Sequence, residues 1–216
     1  MPAFVVLRII QPYGEPVHGE RQVPTRFFMT MISNIFLIGP MGSGKTAVGR
    51  RLAHDLGKPF VDSDGVIEER TGVDIPFIFE KEGEDGFRCR EAAVIDELTC
   101  RDGIVLATGG GTILADANRR HLASRGFVIY LMATVQQQIE RTSRGKERPL
   151  LSSGDPEQIL AKLLAVRDPL YREIADLCTG TDNRTVASVT GEILRHLKSL
   201  DPTPKNMDPE NMDAEN

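Results

Sequence analysis

Residues Gly39-Pro40-Met41-Gly42-Ser43-Gly44-Lys45-Thr46 constrain this chain more than any other stretch. They match the phosphate-binding pattern in which four free residues separate a glycine from Gly-Lys-Ser/Thr. They follow the apolar run Ile35-Phe36-Leu37-Ile38 and precede a helical pattern with Val48, Leu52 and Leu56 on one face. Strand, loop and helix in that order are the context the motif needs; outside it, the same residues read as a plain glycine-rich turn. Gly39, Gly42 and Gly44 can take positive φ and carry no Cβ, so backbone N–H groups can turn inward onto phosphate oxygens. A helix starting near Gly44 points its positive dipole end into the same hollow. Lys45 supplies a mobile charge for the β- and γ-phosphates, and the Thr46 hydroxyl can ligate Mg²⁺. Gly42, Ser43, Gly44, Lys45 and Thr46 are therefore the candidate nucleotide-binding residues.

From Asn34 onward, strand-like and helix-like segments alternate. Strands are expected at 35–38, at Phe60-Val61, at 103–108, at 127–132 and near 177–180. Helices are expected at about 45–56, 66–71, 75–81, 88–99, 116–124, 135–141, 156–175 and 186–200. Gly57 and Gly126 stand just past two of them, where a helix commonly stops. Phe127 to Met132 shows no polar alternation, as in a strand covered on both faces. A βαβα series implies an α/β fold: a parallel sheet of five strands with helices on both sides, a three-layer sandwich. In open sheets of this kind ligands bind at the carboxyl ends of the strands. That rule selects Gly39, Asp62, Asp64 and Gly109–Gly111, each placed just after a strand.

Composition sets the outer limits. Length fits one α/β domain with a sizeable core, and a net charge of −5 gives no reason to expect a nucleic-acid or anionic-membrane surface. Residues 1–30 carry three arginines against two glutamates, and 201–216 one lysine against five acids. The span between them is close to neutral. Residues 1–30, with Pro12, Gly14, Pro16 and Pro24, fit neither a secretory signal nor a transit peptide. They are expected to be a disordered extension, 31–200 the domain, and 201–216 a disordered acidic tail. Cys89, Cys100 and Cys178 are too few and scattered for a disulfide framework or a zinc site, which suits reduced thiols in the cytoplasm. No apolar run approaches the roughly 18 residues needed to cross a bilayer.

Four further groups can carry chemistry. Asp62 and Asp64 suit a metal-side carboxylate and a group that takes or orients a hydroxyl proton. In an extended segment both face one side; an aspartate capping the next helix fits equally well. Gly109-Gly110-Gly111-Thr112 makes a concave backbone suited to a phosphate or a closely approaching polyhydroxy substrate. Arg141, Arg144, Lys146 and Arg148 fall in a segment without periodicity, longer than the usual connection of about 4–6 residues. Such a segment reads as a lid over the phosphates or as a solvated basic loop. Arg88, at the expected start of a helix, opposes the dipole rule and is a candidate anion ligand. Arg167 alone reads as a second candidate or as an ordinary surface residue.

Taken together these stretches resemble the shikimate kinase family. The segments that carry the likeness are Gly39–Thr46, Asp62-Ser63-Asp64, Gly83 to Arg88 with Glu91, Thr108 to Gly111, Arg148-Pro149-Leu150-Leu151 and Arg167 to Tyr171. They lie in the family's order and spacing across about residues 33–197. The resemblance implies a nucleoside-monophosphate-kinase-like sheet of order 2-3-1-4-5. It also implies transfer of the ATP γ-phosphoryl to the 3-hydroxyl of shikimate, in aromatic amino-acid biosynthesis. On the matching positions it implies Asp62 and Thr46 on the Mg²⁺ side and Asp64 as the base. Arg88 and Arg167 would clamp the shikimate carboxylate, and Gly109, Gly110 and Gly111 would line its ring. Arg148 would close with the lid, and Arg141 and Arg184 would flank adenine. A monomer without nucleic-acid or membrane partners is expected. A gluconate kinase, or a nucleotide-binding module without catalysis, are the alternatives.

Overall fold

The computed structural model describes residues 33–143 and 154–200. The expectations for 1–30, for 201–216 and for the lid with Arg144, Lys146 and Arg148 lie outside the described residues.

Strand β1 (Ile35–Ile38) is the axis of the molecule. It pairs in parallel with β3 (Val105–Ala107) on one side and β4 (Phe127–Met132) on the other. β2 (Phe60–Asp62) lies beyond β3, and β5 (Leu177–Gly180) beyond β4. The order is 2-3-1-4-5, as the resemblance implied. All four residues of β1 are buried because successive side chains enter different cores. Ile35 and Leu37 join Val48, Leu52 and Ala53 of α1 (Lys45–Leu56) and Val189 and Ile193 of α7 (Val186–Ser199). Phe36 and Ile38 join the opposite core, with Ile67 of α2 (Ser63–Thr71), Ile95 and Leu98 of α3 (Ile75–Thr99) and Leu122 of α4 (Asp116–Arg125). Tyr171 of α6 (Pro156–Ile174) completes that side, and α5 (Val135–Thr142) packs on α6. Two apolar layers around one sheet are the three-layer sandwich expected from the pattern.

β3 is shorter than the expected 103–108, and two helix boundaries differ more, each for a local reason. Helix α2 begins at Ser63 rather than near Val66, because Asp62 caps it: its carboxylate accepts from the Asp64 N–H at 3.2 Å. Helix α3 is nearly continuous where two helices and a loop were expected. Only Gly83 leaves the helical region, at φ 71° and ψ −176°. Residues 84–87 wind on as helix because Phe87 reaches the core, where its ring packs on Phe79 with centroids 4.8 Å apart. No helix among the described residues is long and apolar enough to cross a membrane.

Candidate active site

β2, β3 and β1 are neighbours, so the turns that leave their carboxyl ends share one rim of the sheet. The first turn is the glycine-rich loop. Gly39, Gly42 and Gly44 have φ of 143°, 74° and 89°, conformations that a side chain would oppose. Lys45 opens α1 and folds back, its Nζ donating to the carbonyl oxygens of Gly39 at 2.7 Å and Pro40 at 2.8 Å. Thr46, next along the helix, donates from Oγ1 to Asp62 Oδ2 at 2.8 Å. One Asp62 oxygen thus caps α2 while the other reaches the loop helix.

Asp64 lies in the first turn of α2, not in an extended segment, so alternation along a strand is not what brings the two aspartates together. They converge because Asp62 caps the helix that carries Asp64. The Asp64 carboxylate stands over the third turn: a Cβ built on Gly109 would lie 2.7 Å from Asp64 Oδ1 and 2.8 Å from Glu91 Oε1. A Cβ on Gly110 would rest in ordinary contact with the first loop, 3.4 Å from Met41 N and 3.5 Å from Gly39 O. At Gly111 it would overlap the Arg88 guanidinium. Gly109 and Gly111 therefore clear space for different neighbours, and Gly110 sets the turn against the phosphate loop.

Arg88 sits five residues past the Gly83 break, beyond the first turn of its helical segment, so the dipole conflict read from sequence does not arise. Glu84 and Asp85 occupy that first turn, as the dipole favours. What holds Arg88 is a pair of carboxylates: Nη1 donates to Glu91 Oε2 at 2.6 Å and Nη2 to Glu84 Oε1 at 2.9 Å. Glu91 is buried and its other oxygen accepts from the Thr112 hydroxyl at 2.6 Å. Burial works against the Arg88 charge, but Glu91 and Glu84 outweigh it and leave its pKa above the ordinary value. Arg88→Ala would strand the Glu91 carboxylate in the core. Because Arg88 is partly exposed, the expected loss is roughly 2–4 kcal/mol, somewhat below a fully buried pair. Urea unfolding with an unchanged midpoint would contradict it.

Arg167 is the opposite case. It is only 5% exposed, and no carboxylate of the described residues lies within ion-pairing distance of it. Its Nη1 approaches the Gly110 carbonyl at 3.5 Å, and the guanidinium lies against the Tyr171 hydroxyl. Burial pulls its pKa below the ordinary value, and the Arg88 charge acts in the same direction. Glu84 and Glu91 act on it only from beyond ion-pairing distance. A buried cation without a direct ion pair is costly, and an anion bound beside the Gly109–Gly111 turn would relieve that cost.

Arg141 spans the other flank. Its Nη1 donates to Gly42 O and Thr181 Oγ1, both at 3.0 Å, and Nη2 to Thr181 O at 2.7 Å, tying the loop that follows β5 to the phosphate loop. Arg184 bridges the end of β5 and α7, donating to Gly180 O at 3.0 Å and pairing with Glu192 at 2.7 Å. Arg148 lies outside the described residues.

A family model described as shikimate kinase matches residues 41–198. The chain belongs to the shikimate kinase family. It is 57% identical over 169 residues to a shikimate kinase of Pseudomonas fluorescens (strain Pf0-1), which covers 78% of this chain and 98% of the relative. A shikimate kinase of Halorhodospira halophila (strain DSM 244 / SL1) is also 57% identical, over 77% of this chain and 94% of its own. Among solved structures, a shikimate kinase from Acinetobacter baumannii in complex with shikimate superposes with a TM-score of 0.77 at 52% identity. It covers 82% of this chain and 98% of that one. These matches do not favour a gluconate kinase.

Sequence reasoning assigns no role to three residues that the structure packs around these turns, although all three lie in the segments that carry the family likeness. Glu91 was noted only as part of a motif, although its position three residues after Arg88 on a helix is a usable signal. Tyr171, four residues after Arg167, carries the same kind of signal. Ser63 left none: its buried hydroxyl accepts from the Gly109 N–H at 3.1 Å across a sequence gap that only the fold closes.

Proposed function

We propose that this chain transfers the γ-phosphoryl group of ATP to the 3-hydroxyl of shikimate, giving shikimate 3-phosphate and ADP. The observation that carries this reading is Arg167, buried without a direct ion pair beside the Gly109–Gly111 turn, which itself lies against the phosphate loop. An acid held there has its ring over the glycines and within reach of Asp64. Asp64 accepts the proton of the attacking hydroxyl as the new P–O bond forms and the bond to the β-phosphate oxygen breaks. Gly42, Ser43 and Gly44 offer backbone N–H groups to the phosphates, and Lys45 exchanges its two loop carbonyls for β- and γ-phosphate oxygens. Arg141 and Arg184 border the adenine, and Arg148, by family resemblance, closes on the transferring group. Arg88 and Arg167 bind the carboxylate.

The chemistry of the donors fits Mg²⁺: a hydroxyl and a carboxylate oxygen 2.8 Å apart at the edge of the phosphate loop are hard ligands. Thr46 and Asp62 would hold the ion, Asp62 through water, and when bound it neutralises charge on the β- and γ-phosphates. A cytoplasmic monomer without nucleic-acid or membrane partners is part of the same reading.

A coupled ADP-release assay offering shikimate, gluconate and AMP as acceptors tests it. Shikimate alone should support turnover above background; turnover only with gluconate or AMP would replace this reading. Thr46→Val should raise the Mg²⁺ concentration for half-maximal rate by about tenfold, from the loss of one charge-assisted contact. An unchanged requirement would remove Thr46 from the metal site.

A further inference from the structure

Tyr171 is 1% exposed, yet its hydroxyl points at the substrate side of the site, where it donates to the Gly110 carbonyl at 2.5 Å. Arg167, four residues earlier on α6, competes for the same oxygen from 3.5 Å and also lies against that hydroxyl. The ring itself is held separately. It stacks on Tyr130 with centroids 4.8 Å apart, and the Tyr130 hydroxyl donates to Asp168 Oδ1 at 2.8 Å. Asp168 in turn accepts from Arg172 Nε at 2.7 Å. Burial and Asp168 push the Tyr130 pKa up, and burial does the same at Tyr171, so both stay neutral donors.

A guanidinium has five N–H donors and will take whatever acceptor is nearest. A carbonyl accepts two such bonds, and Arg167 reaches the Gly110 oxygen only at the long distance of 3.5 Å while Tyr171 holds it at 2.5 Å. Without the Tyr171 hydroxyl, Arg167 could close onto that oxygen and turn away from an incoming anion. We infer that Tyr171 is a positioning residue: its hydroxyl occupies the Gly110 carbonyl and so keeps the Arg167 guanidinium turned toward the substrate carboxylate. This rests on the shikimate kinase reading above. It extends that reading to a residue that does not touch the substrate.

The test begins with wild-type turnover on shikimate; its absence would overturn the reading and this inference together. With turnover in hand, Tyr171→Phe keeps the stacked ring and removes only the hydroxyl. The shikimate KM should rise about 5- to 50-fold, as for one lost hydrogen bond beside a charged group, with kcat and the ATP KM within about twofold. Preference for shikimate over its carboxamide should shrink by a similar factor, a readout that general loosening of the fold would not move. Tyr130→Phe, one ring away, should leave the shikimate KM within about twofold. An unchanged shikimate KM in Tyr171→Phe, or unchanged discrimination against the carboxamide, would overturn the inference. If that variant does not fold, the full wild-type chain labelled with 3-fluorotyrosine decides. The chain has three tyrosines, Tyr13, Tyr130 and Tyr171, so the Tyr171 fluorine is the resonance lost in neither Tyr13→Phe nor Tyr130→Phe. Its resonance should move on saturation with shikimate and stay with the carboxamide. No movement with shikimate would overturn the inference.

Discussion

Replacing Asp64 with asparagine is expected to lower kcat by about 10²–10⁴, the usual worth of a positioned general base, while the shikimate KM stays within about threefold. Asparagine fills the same space in the first turn of α2 and still offers an oxygen to the substrate hydroxyl. What it cannot do is take the proton. The fold should be indifferent, because it is Asp62, not Asp64, that caps the helix. Steady-state kinetics with saturating ATP decide the matter. A variant that kept kcat but lost shikimate affinity would make Asp64 a binding group only.

Arg167→Ala should instead act on binding. Truncating a buried charge that meets an oppositely charged ligand typically costs about 2–5 kcal/mol, or about 30- to 4000-fold in the shikimate KM, with a smaller change in kcat. The same substitution should not lower the thermal midpoint of the protein without ligand, and should raise it if anything. It removes a desolvated cation that has no direct ion pair among the described residues and whose charge burial opposes more than the distant Glu84 and Glu91 support it. Loss of affinity with retained stability marks a residue held at a cost for function. Thermal unfolding with and without shikimate separates the two quantities, since ligand that binds only the folded state raises its stability by mass action. A destabilised variant with unchanged shikimate KM would make Arg167 a structural residue. Arg88→Ala has the reverse stability signature, because its partner Glu91 is left behind in the core.

Much of this was legible in the sequence because it follows from short-range rules. The phosphate loop announces itself through glycine spacing, and the observed positive φ at Gly39, Gly42 and Gly44 is what that spacing serves. Alternation of strand and helix patterns led to the parallel sheet, but the strand order came from family resemblance, since no local rule orders parallel strands. Asp62 and Asp64 do lie together, but not by the alternation expected of an extended segment: the cap, not the strand, sets their convergence. The near-continuity of α3 was missed because Gly83 and Gly86 read as a break, while burial of Phe87 was strong enough to keep the chain helical. Least legible were contacts across long sequence separations, such as Ser63 with Gly109 and Tyr171 with Gly110. Nothing in either residue's neighbourhood specifies its partner until the sheet brings the turns together.

On this reading, the turns after β1, β2 and β3 surround one place where a nucleotide and a hydroxy acid meet. A crystal structure of the full chain with ADP, Mg²⁺ and shikimate measures it directly. The β-phosphate should lie in the Gly39–Thr46 loop, the shikimate carboxylate between Arg88 and Arg167, and its 3-hydroxyl at hydrogen-bond distance from Asp64. Shikimate bound away from both arginines, or with a different hydroxyl at Asp64, would contradict the account.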